Sequence, residues 1–249
     1  MFKNKTVIIS GGASGIGLLC GKCFAKEGAN VVLVDVNENA VKEEAAQISQ
    51  DGGIAIGVGA DVRDYNQVVA AVKAAADEFK TVDVMINCAG GAETRIWNKS
   101  DIEFKDMPIE VFDWGIDVNL KGQFYFDHAV MKYMAEQKSG LIINIGSITG
   151  EEGCQINVAY STSKSAAMNG LTKSLAQYGA KYNVRAVCVS PGPVLTREKM
   201  AEMPTLLGRA ALPQEIVDFI MFLASDKAKF INGDNYMIDG GRKAMQRKW

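Results

Sequence analysis

Tyr160 and Lys164 stand four residues apart at the start of a stretch with helical periodicity, and Ser147 ends an apolar run shortly before them. Residues at i and i+4 share a helix face, so the Lys164 ammonium can lie near the Tyr160 phenol. A cation there stabilises phenolate and predicts a Tyr160 pKa below the usual value of ~10. Such a tyrosine can exchange a proton with an alcohol or carbonyl while the Ser147 hydroxyl holds the same oxygen. The spacing alone also fits a solvated helix face.

A glycine-rich loop, residues 10–17, follows the first apolar run and precedes a helical pattern. Glycines let the backbone approach a pyrophosphate closely, and a helix N-terminus offers free N–H groups and a positive dipole end. Ordinary turn chemistry is the alternative explanation for a lone loop of this kind. Asp35, at the end of the next strand and 18 residues beyond Gly17, favours a dinucleotide site.

Asp35 also predicts which dinucleotide is used. A carboxylate at this position can accept hydrogen bonds from both ribose hydroxyls, and it repels a 2′-phosphate. Neither Ser14 nor Val36 supplies a cation that would neutralise such a phosphate. The sequence therefore predicts NAD(H) rather than NADP(H), with a simple strand-end turn acid as the alternative.

Short apolar runs alternate with longer helical patterns along the chain. Consecutive apolar positions of this kind are typical of strands that are buried on both faces of a parallel sheet. The predicted strands are 6–10, 31–35, 54–60, 83–87, 140–147, 184–190 and 235–239, and the helical patterns are 16–28, 38–50, 64–80, 101–137, 155–180 and 213–224. This alternation predicts an α/β fold with helices on both faces, and a ligand site beyond the carboxyl ends of the strands.

Composition excludes several functional classes. The chain has 249 residues, with 27 basic and 29 acidic side chains and a net charge of −2, which argues against binding to nucleic acid or to an anionic membrane. No apolar run approaches the ~20 residues of a membrane span, and the apolar stretch among the first ten residues is too short for a signal peptide. A cytoplasmic protein with reduced cysteines is expected. Cys20 and Cys23 have the spacing of a redox or zinc pair, but they share an apolar helix face, and no metal site is predicted.

Ordered motifs give the sequence a resemblance to the short-chain dehydrogenase/reductase family over essentially its whole length. The motifs are Ser10-Gly11-x-x-x-Gly15-Ile16-Gly17, Asp61-Val62, Asn87-Cys88-Ala89-Gly90, Asn119, Ser147, Tyr160-x-x-x-Lys164, Pro191-Gly192-Pro193-Val194 and Asp239-Gly240-Gly241. The resemblance implies one Rossmann-like domain, residues 1–249, that both binds the dinucleotide and performs catalysis. It implies a seven-stranded parallel sheet in the order 3-2-1-4-5-6-7, and hydride transfer between nicotinamide and an alcohol or ketone.

The resemblance also implies roles for individual residues. Tyr160 is expected to be the general acid/base, Ser147 to orient the substrate oxygen, Lys164 to bind the nicotinamide ribose, and Asn119 to hold a water near Lys164. Cofactor contacts are expected from Gly11, Ser14, Gly15, Ile16, Gly17, Asp35, Asp61, Val62, Asn87, Ala89, Gly90, Tyr160, Lys164, Pro191, Gly192, Val194 and Thr196. Two positions depart from the family, Ser10 in place of Thr and Cys88 in place of Asn, and Cys88 lacks an amide that commonly braces the central strands.

Polar side chains in the loops after the strands suggest a substrate class. They suit a hydroxyl-rich alcohol, so the sequence predicts a polyol- or sugar-like substrate, although surface loops are polar in any case. The residues concerned are Glu93, Arg95, Trp97, Glu151, Glu152, Cys154, Gln155 and Asn157. The alternatives are a reductase of 3-oxoacyl thioesters or other ketones and, from a different class, a nucleotide-sensing protein.

Family resemblance further implies a homotetramer or homodimer. Its contact is expected through two long helices, where Ser163, Ala166, Ala167 and Gly170 would allow close approach. The C-terminal segment from Arg242 to Trp249 is either a solvated end or docked against a partner subunit.

Overall fold

Seven parallel strands form one sheet in the order β3-β2-β1-β4-β5-β6-β7 in the computed structural model, which describes residues 1–97 and 103–245. The strands are β1 (Thr6–Ser10), β2 (Asn30–Asp35), β3 (Ile54–Gly59), β4 (Val84–Asn87), β5 (Gly140–Ile145), β6 (Val184–Pro191) and β7 (Asn235–Ile238). The predicted α/β class and strand order are confirmed. Each predicted strand agrees with the observed one to within two residues at either end.

Helices cover both faces of the sheet. They are α1 (Gly15–Lys26), α2 (Glu38–Gln50), α3 (Tyr65–Phe79), α4 (Thr94–Trp97), α5 (Ile109–Ile116), α6 (Gly122–Gln137), α7 (Thr149–Glu152), α8 (Val158–Ala166), α9 (Thr172–Ala180) and α10 (Pro213–Ala224). Successive side chains of a strand point to opposite faces, so Val7 and Ile9 pack in one core and Ile8 in the other. Both cores hold fully buried aliphatic side chains, which explains the consecutive apolar runs of the sequence. Among the described residues, no helix has the length and apolar character needed to cross a membrane.

The two longest predicted helices are each interrupted by a π-helical turn. The pattern at 101–137 becomes α5, a π turn at Asp117–Lys121 and α6, and the pattern at 155–180 becomes α8, a π turn at Ala167–Leu171 and α9. Residues 101 and 102 lie outside the described ranges. Helix α5 begins at Ile109 because Pro108, in extended conformation, precedes it. The sequence predicted one continuous helix in each stretch and revealed neither interruption.

Strand β1 pairs with β2 on one side and with β4 on the other. The chain therefore leaves β3, crosses the sheet and continues from β4 in the opposite direction. In sheets of this kind, the crevice at the carboxyl ends of the strands that flank this reversal is the usual ligand site. Ser10 of β1, Asp35 of β2 and Asn87 of β4 end the strands that border this crevice.

Candidate active site

The glycine loop after β1 is shaped to accept a ligand backbone. Gly11 has φ +68°, and a Cβ there would lie 2.8 Å from the backbone nitrogen of Ala89. A Cβ on Gly17 would lie 2.2 Å from the carbonyl oxygen of Gly11, so only glycine allows this close crossing. Gly15 has φ +58° and no atom within 4 Å of its Cβ position, which leaves open space in front of α1.

The N-terminus of α1 is uncapped. Ser14 occupies the N-cap position in extended conformation, its side chain caps no N–H group, and the first turn of α1 carries no acidic residue. Free N–H donors and the positive helix end therefore face the open space at Gly15. This arrangement fits the pyrophosphate of a dinucleotide, which Gly11, Ser14, Gly15, Ile16 and Gly17 were predicted to contact.

Asp35 lies at the edge of this crevice with its carboxylate held in place. The backbone N–H of Ala13 donates to Asp35 Oδ2 at 3.2 Å, and that of Asn37 donates to Oδ1 at 3.1 Å. Both bonds come from the backbone, so each oxygen keeps a lone pair for a ribose hydroxyl. The structure thus brings Asp35 and the glycine loop together as the sequence predicted.

The next predicted cofactor residues lie in two places: Asp61 and Val62 follow β3, and Asn87, Ala89 and Gly90 lie at the end of β4 and beyond it. Asp61 accepts hydrogen bonds from the Arg63 side chain, and these bonds lower the Asp61 pKa. Val62 is buried, and a Cβ atom added to Gly122 would lie 2.7 Å from Val62 Cγ2. The Asn87 side chain is fully buried and donates to Asp127 of α6 and to Asn144 of β5. Ala89 and Gly90 follow it at the crevice, where the N–H group of Ala89 donates to Ser10 Oγ at 3.2 Å. Their contacts with a cofactor, and those of Asn87, Asp61 and Val62, stay predictions.

The segment after β6 returns toward the sheet before it reaches the surface. Pro191 accepts from Ile148 N–H at 2.9 Å, and a Cβ on Gly192 would lie 2.6 Å from Asp239 Cα, so glycine is required there. Val194 is 5% exposed and pairs with Ala211, whereas Thr196 is exposed. Val194 and Thr196 therefore stand where this segment leaves the sheet, beyond the carboxyl end of β6, and their contact with the nicotinamide stays a prediction.

Tyr160, Lys164 and Ser147 converge beyond the carboxyl end of β5. Lys164 Nζ lies 5.6 Å from the centroid of the Tyr160 ring and donates to the carbonyl oxygen of Ile145 at 2.6 Å. The Ser147 hydroxyl hydrogen-bonds to the Tyr160 side chain and accepts from the Thr149 hydroxyl at 3.0 Å. Two hydroxyl groups and a buried ammonium are thus assembled around one position, which suits proton exchange with an alcohol or carbonyl oxygen.

The Tyr160 pKa is raised in the structure, whereas the spacing to Lys164 predicted that it would be lowered. Burial raises the Tyr160 pKa, an effect that the hydrogen bond from Ser147 and the charges of Arg197 and Arg95 partly offset. Burial also lowers the pKa of Lys164 to about 8. The expectation from the i, i+4 spacing was wrong in direction because desolvation of the phenol outweighs the nearby positive charges.

Asn119 lies in the π turn between α5 and α6 and is fully buried. Its Oδ1 atom accepts from Gly91 N–H at 2.9 Å, and its Nδ2 atom donates to the carbonyl oxygens of Gly91 and Gly115 at 2.9 and 2.8 Å. The amide therefore ties the loop after β4 to α5. Gly90 lies between Asn119 and Lys164, since a Cβ on Gly90 would meet Asn119 Oδ1 at 2.7 Å and Lys164 Nζ at 3.5 Å.

Comparison with known proteins matches this geometry to a family. The family model described as short chain dehydrogenase matches residues 5–206. The chain belongs to the short-chain dehydrogenase family. It is 37% identical to trans-4-hydroxycyclohexanecarboxylate dehydrogenase of Sinomonas cyclohexanicum, over 96% of this chain and 93% of that protein. It is 35% identical to D-threitol dehydrogenase of Mycolicibacterium smegmatis, over 95% of this chain and 92% of that protein.

A solved structure agrees with the fold and with the extent of the match. The crystal structure of gox2181 superposes with a TM-score of 0.90 at 31% sequence identity, and the match covers 98% of this chain and 97% of that one. As a short-chain dehydrogenase, the chain is an oxidoreductase of alcohols and ketones whose Rossmann-like fold binds a nicotinamide dinucleotide.

Glu93 is a residue of this dehydrogenase whose role the sequence did not reveal. It is 1% exposed, and its carboxylate accepts the backbone N–H of Ala159 at 2.7 Å and that of Tyr160 at 3.1 Å. Glu93 thus caps the first turn of α8 from the loop after β4, since the α8 N-cap residue Asn157 supplies no side-chain cap. The Tyr160 backbone is therefore fixed by a carboxylate that lies 67 residues away in the chain. No local spacing signals such a contact.

The substitution Glu93→Gln is expected to lower both thermal stability and turnover. Glutamine keeps the shape but presents an N–H₂ group to one of the two backbone donors, so a charge-assisted bond worth about 1.5–3 kcal/mol is lost. The Glu93 charge also raises the Tyr160 pKa, so its removal shifts the rise of alcohol oxidation with pH toward lower pH. Melting temperature and the pH profile of kcat measure the two effects separately.

Asp64→Asn is the matched control for that variant. Asp64 caps α3 by accepting from Asn66 N–H at 2.8 Å and Gln67 N–H at 3.3 Å, on a helix that carries none of the catalytic candidates. It is expected to lower the melting temperature without moving the pH profile. An unshifted profile in Glu93→Gln would reduce Glu93 to an ordinary structural cap.

A second buried carboxyl lies beneath the crevice. Asp127 is fully buried between α6 and the sheet, where it accepts from Asn87 Nδ2 at 2.7 Å and from Asn144 Nδ2 at 3.2 Å. Desolvation raises its pKa to about 7 in spite of these two hydrogen bonds. Asn87 also donates to Asn144 Oδ1 at 2.8 Å, so these amides brace β4 and β5 although Cys88 lacks the family's usual amide.

Asp127 is expected to make the folded state less stable as the pH rises. Its pKa is higher in the folded state, so its contribution is fully present below about pH 4, is lost as pH rises toward 7, and is gone above that. At 1.36 kcal/mol per pH unit, the loss between pH 5 and 8 amounts to ~3 kcal/mol. Asp127→Asn should flatten this part of the stability profile in thermal unfolding measured at several pH values. Asp226→Asn, on a carboxylate with a 91% exposed side chain, should keep the wild-type slope, and an equally steep slope in Asp127→Asn would contradict the assignment.

Proposed function

We propose that this short-chain dehydrogenase is an NAD(H)-dependent oxidoreductase that interconverts a secondary alcohol and a ketone. The observation that carries the proposal is that one crevice combines two features. The uncapped helix N-terminus with Asp35 beside it fits NAD, and the Ser147–Tyr160–Lys164 cluster at the neighbouring strand ends fits proton exchange. When bound, the nicotinamide would accept the hydride in alcohol oxidation and donate it in ketone reduction.

Proton transfer is assigned to the phenol of Tyr160. In oxidation, the Tyr160 oxygen accepts the hydroxyl proton of the substrate, and in reduction it returns that proton to the ketone oxygen. Ser147 already hydrogen-bonds to Tyr160, so its hydroxyl can donate to the same substrate oxygen and orient it. Lys164 Nζ donates to the carbonyl oxygen of Ile145, and this bond fixes the ammonium at the base of the cluster. We assign its remaining N–H groups to the nicotinamide ribose. Asn119 holds the loop that carries Gly90 and Gly91 against this ammonium.

The polar loop residues that suggested a polyol substrate are largely engaged within the chain. Glu93 caps α8, Glu152 pairs with Arg242 at 3.1 Å, and Glu151 pairs with Lys243 at 2.6 Å. Asn157 accepts from Thr94 N–H at 3.4 Å. A polyol- or sugar-like substrate stays a prediction, supported by the similarity to D-threitol dehydrogenase rather than by free polar groups in these loops.

A compact alicyclic alcohol is a second candidate substrate class. A pocket beside the first turn of α8 has mostly apolar walls, but its free volume of about 10 Å³ is too small to hold a ring as it stands, so the pocket does not by itself select the substrate. The apolar lining comprises Trp97, Phe104, Met107, Val111, Ile156 and Val158. The similarity to trans-4-hydroxycyclohexanecarboxylate dehydrogenase points to the same class.

A substrate panel tests the proposal. Purified protein is assayed by NADH absorbance with cyclohexanol, trans-4-hydroxycyclohexanecarboxylate and D-threitol for oxidation, and with cyclohexanone and acetoacetyl-CoA for reduction. NAD-linked turnover of a cyclic alcohol is the expected result, and preference for D-threitol would favour the polyol reading. A marked preference for NADPH with acetoacetyl-CoA would establish the 3-oxoacyl-thioester alternative. Binding of NADH without turnover of any compound would favour a nucleotide-sensing protein.

We also propose that the chain acts in the cytoplasm as a single dinucleotide-binding and catalytic unit within a homotetramer or homodimer. The expectation that Ser163 and Ala167 line a helix contact between subunits needs correction, because both residues are fully buried within the chain itself. Ser163 packs against the Gly115 carbonyl oxygen at 3.5 Å, on the side of α5. Light scattering during size-exclusion chromatography measures the assembly directly.

A further inference from the structure

The arginine that follows the last strand is almost completely buried. The side chain of Arg242 is only 6% exposed, and that of its ion-pair partner Glu152 is 8% exposed. The Nε and Nη2 atoms of Arg242 donate to Glu152 Oε2 at 3.2 and 3.1 Å, and its Nη1 atom donates to the carbonyl oxygen of Pro204 at 3.0 Å. One guanidinium therefore joins three segments of the chain, namely the end of α7, the segment after β6 and the turn after β7.

Helix α7 links this guanidinium to the catalytic cluster. It is a single turn, Thr149–Glu152, that begins two residues after Ser147. The Ser147 hydroxyl accepts from the Thr149 backbone N–H at 3.2 Å and from the Thr149 hydroxyl at 3.0 Å. At the other end of the turn, the backbone N–H of Glu152 donates to the carbonyl oxygen of Ile148 at 3.0 Å. Ser147 and Glu152 thus lie at the two ends of one hydrogen-bonded turn.

The same turn packs directly against the backbone of α8. A Cβ on Gly150 would lie 2.7 Å from the backbone nitrogen of Ser165 and 2.9 Å from the carbonyl carbon of Lys164. Two backbones in such close contact tolerate little displacement. The position of α7 therefore bears on Ser147 at one end and on the helix that carries Lys164 along its side.

A single helical turn needs contacts from outside to stay folded, because few hydrogen bonds offset the conformational entropy that is lost when it forms. The start of α7 is anchored by Ile148, which is 2% exposed and donates its N–H group to the carbonyl oxygen of Pro191 at 2.9 Å. The end of α7 is anchored by the ion pair between Glu152 and Arg242.

Burial makes the Arg242–Glu152 pair a firm anchor. Opening a buried ion pair leaves an uncompensated charge inside the protein, which is strongly unfavourable. A second ion pair joins the same two segments, since Glu151 contacts Lys243 at 2.6 Å, but its side chains are 35% and 54% exposed. Exposed pairs of this kind contribute little. The buried pair is therefore the contact that fixes the end of α7.

We infer that Arg242 is a positioning residue for Ser147, acting through Glu152 and the turn of α7. The inference rests on the proposed function and adds a residue that touches neither substrate nor cofactor. While α7 is held, the bonds from Thr149 keep the Ser147 hydroxyl directed at the Tyr160 phenol. When the turn loosens, these bonds are lost and the hydroxyl rotates away. A displacement of about 1 Å at such a group can lower turnover about 10²-fold.

A double-mutant cycle tests whether Arg242 acts through Ser147. Turnover of the best alcohol of the substrate panel is measured with NAD for wild type, Arg242→Gln, Ser147→Ala and the double variant. Arg242→Gln is expected to lower kcat about 10- to 100-fold in the wild-type background. In the Ser147→Ala background it should lower kcat by no more than about 2-fold, because the hydroxyl that it positions is already absent.

The pH profile gives a second measurement that does not require the Ser147→Ala variant. The hydrogen bond from Ser147 lowers the Tyr160 pKa, so release of Ser147 raises it. The rise of alcohol oxidation with pH should therefore move to higher pH in Arg242→Gln. An unmoved profile together with a lowered kcat would assign Arg242 to the fold and overturn the inference.

Arg185→Gln is the matched control. The Arg185 side chain is half-buried and donates to the carbonyl oxygens of Ile231 and Leu223 near the amino end of β6, away from the crevice. Both arginine variants should lower the melting temperature, but only Arg242→Gln should lower kcat and move the pH profile. Arg242→Lys keeps a positive charge beside Glu152 and should restore part of kcat. It also carries the cycle if Arg242→Gln does not fold.

The remaining outcomes are equally definite. An equal loss of kcat from the Arg242 substitution in the wild-type and Ser147→Ala backgrounds means that the two residues act independently, which overturns the inference while the oxidoreductase assignment stands. Unchanged kcat in both Arg242 variants overturns it as well. Absence of turnover by the wild-type protein with every compound of the panel overturns the proposed function, and the inference falls with it.

Discussion

The substitution Tyr160→Phe is expected to reduce kcat for alcohol oxidation by about 10²–10⁴-fold, the range typical of losing a positioned general acid/base. Phenylalanine keeps the ring and removes only the hydroxyl that hydrogen-bonds to Ser147. Affinity for NADH should change little, because the glycine loop and Asp35 are untouched. Initial rates at saturating substrate and fluorescence titration with NADH measure the two quantities.

The control for this variant is Tyr178→Phe. Tyr178 lies in α9, is 52% exposed and is 18 residues from Tyr160 along the same helical segment, so loss of its hydroxyl should leave kcat intact. The raised Tyr160 pKa adds a pH prediction: oxidation needs the phenolate, so its rate should climb as the pH rises into the alkaline range. Full activity in Tyr160→Phe would refute the assignment of proton transfer to this residue.

Asp35 carries the second large expected effect. In wild type, kcat/KM is expected to be higher with NAD than with NADP, and Asp35→Asn should shrink the ratio about 10²-fold. Hydrogen bonds to a charged acceptor are worth roughly 1.5–3 kcal/mol each, and both the ribose bonds and the repulsion of a 2′-phosphate weaken together. Asparagine keeps an oxygen for the backbone N–H of Ala13 or Asn37, which preserves the loop.

Addition of Val36→Arg to Asp35→Asn should reverse the cofactor preference, so that kcat/KM becomes higher with NADP than with NAD. Val36 is 72% exposed, so an arginine there can reach a 2′-phosphate without disturbing the core. Asn37→Ala serves as the control, because Asn37 caps α2 through Ala40 N–H but offers no charge to the crevice. A wild-type protein that prefers NADP would disprove the role given to Asp35.

Features written in local sequence were predictable in this protein. The strands followed from consecutive apolar residues, and the positions of Ser147, Tyr160 and Lys164 followed from motifs whose surrounding strand and helix determine where they point. The glycine loop was predictable from its position between a strand and a helix. In the structure, only glycine permits the close contacts at Gly11 and Gly17.

Features that depend on long-range contacts were not predictable. The Glu93 side chain and the α8 backbone meet only after β4 and β5 have paired, so the sequence showed it as one more polar loop residue. The direction of the Tyr160 pKa depends on burial, which the four-residue spacing to Lys164 does not encode. The π turn that holds Asn119 lies inside a stretch that the sequence predicted as one continuous helix.

Because β1 hydrogen-bonds to both β2 and β4, the cofactor cradle is closed by a strand that is synthesised only after β1, β2 and β3. The Cβ position of Gly11 lies against Ala89, beyond β4, so the first three strands with their helices hold only one wall of the crevice. A nascent chain that ends before β4 should therefore have little affinity for dinucleotide. Cofactor binding would then select for chains in which both halves of the sheet have joined, and added cofactor should slow their unfolding.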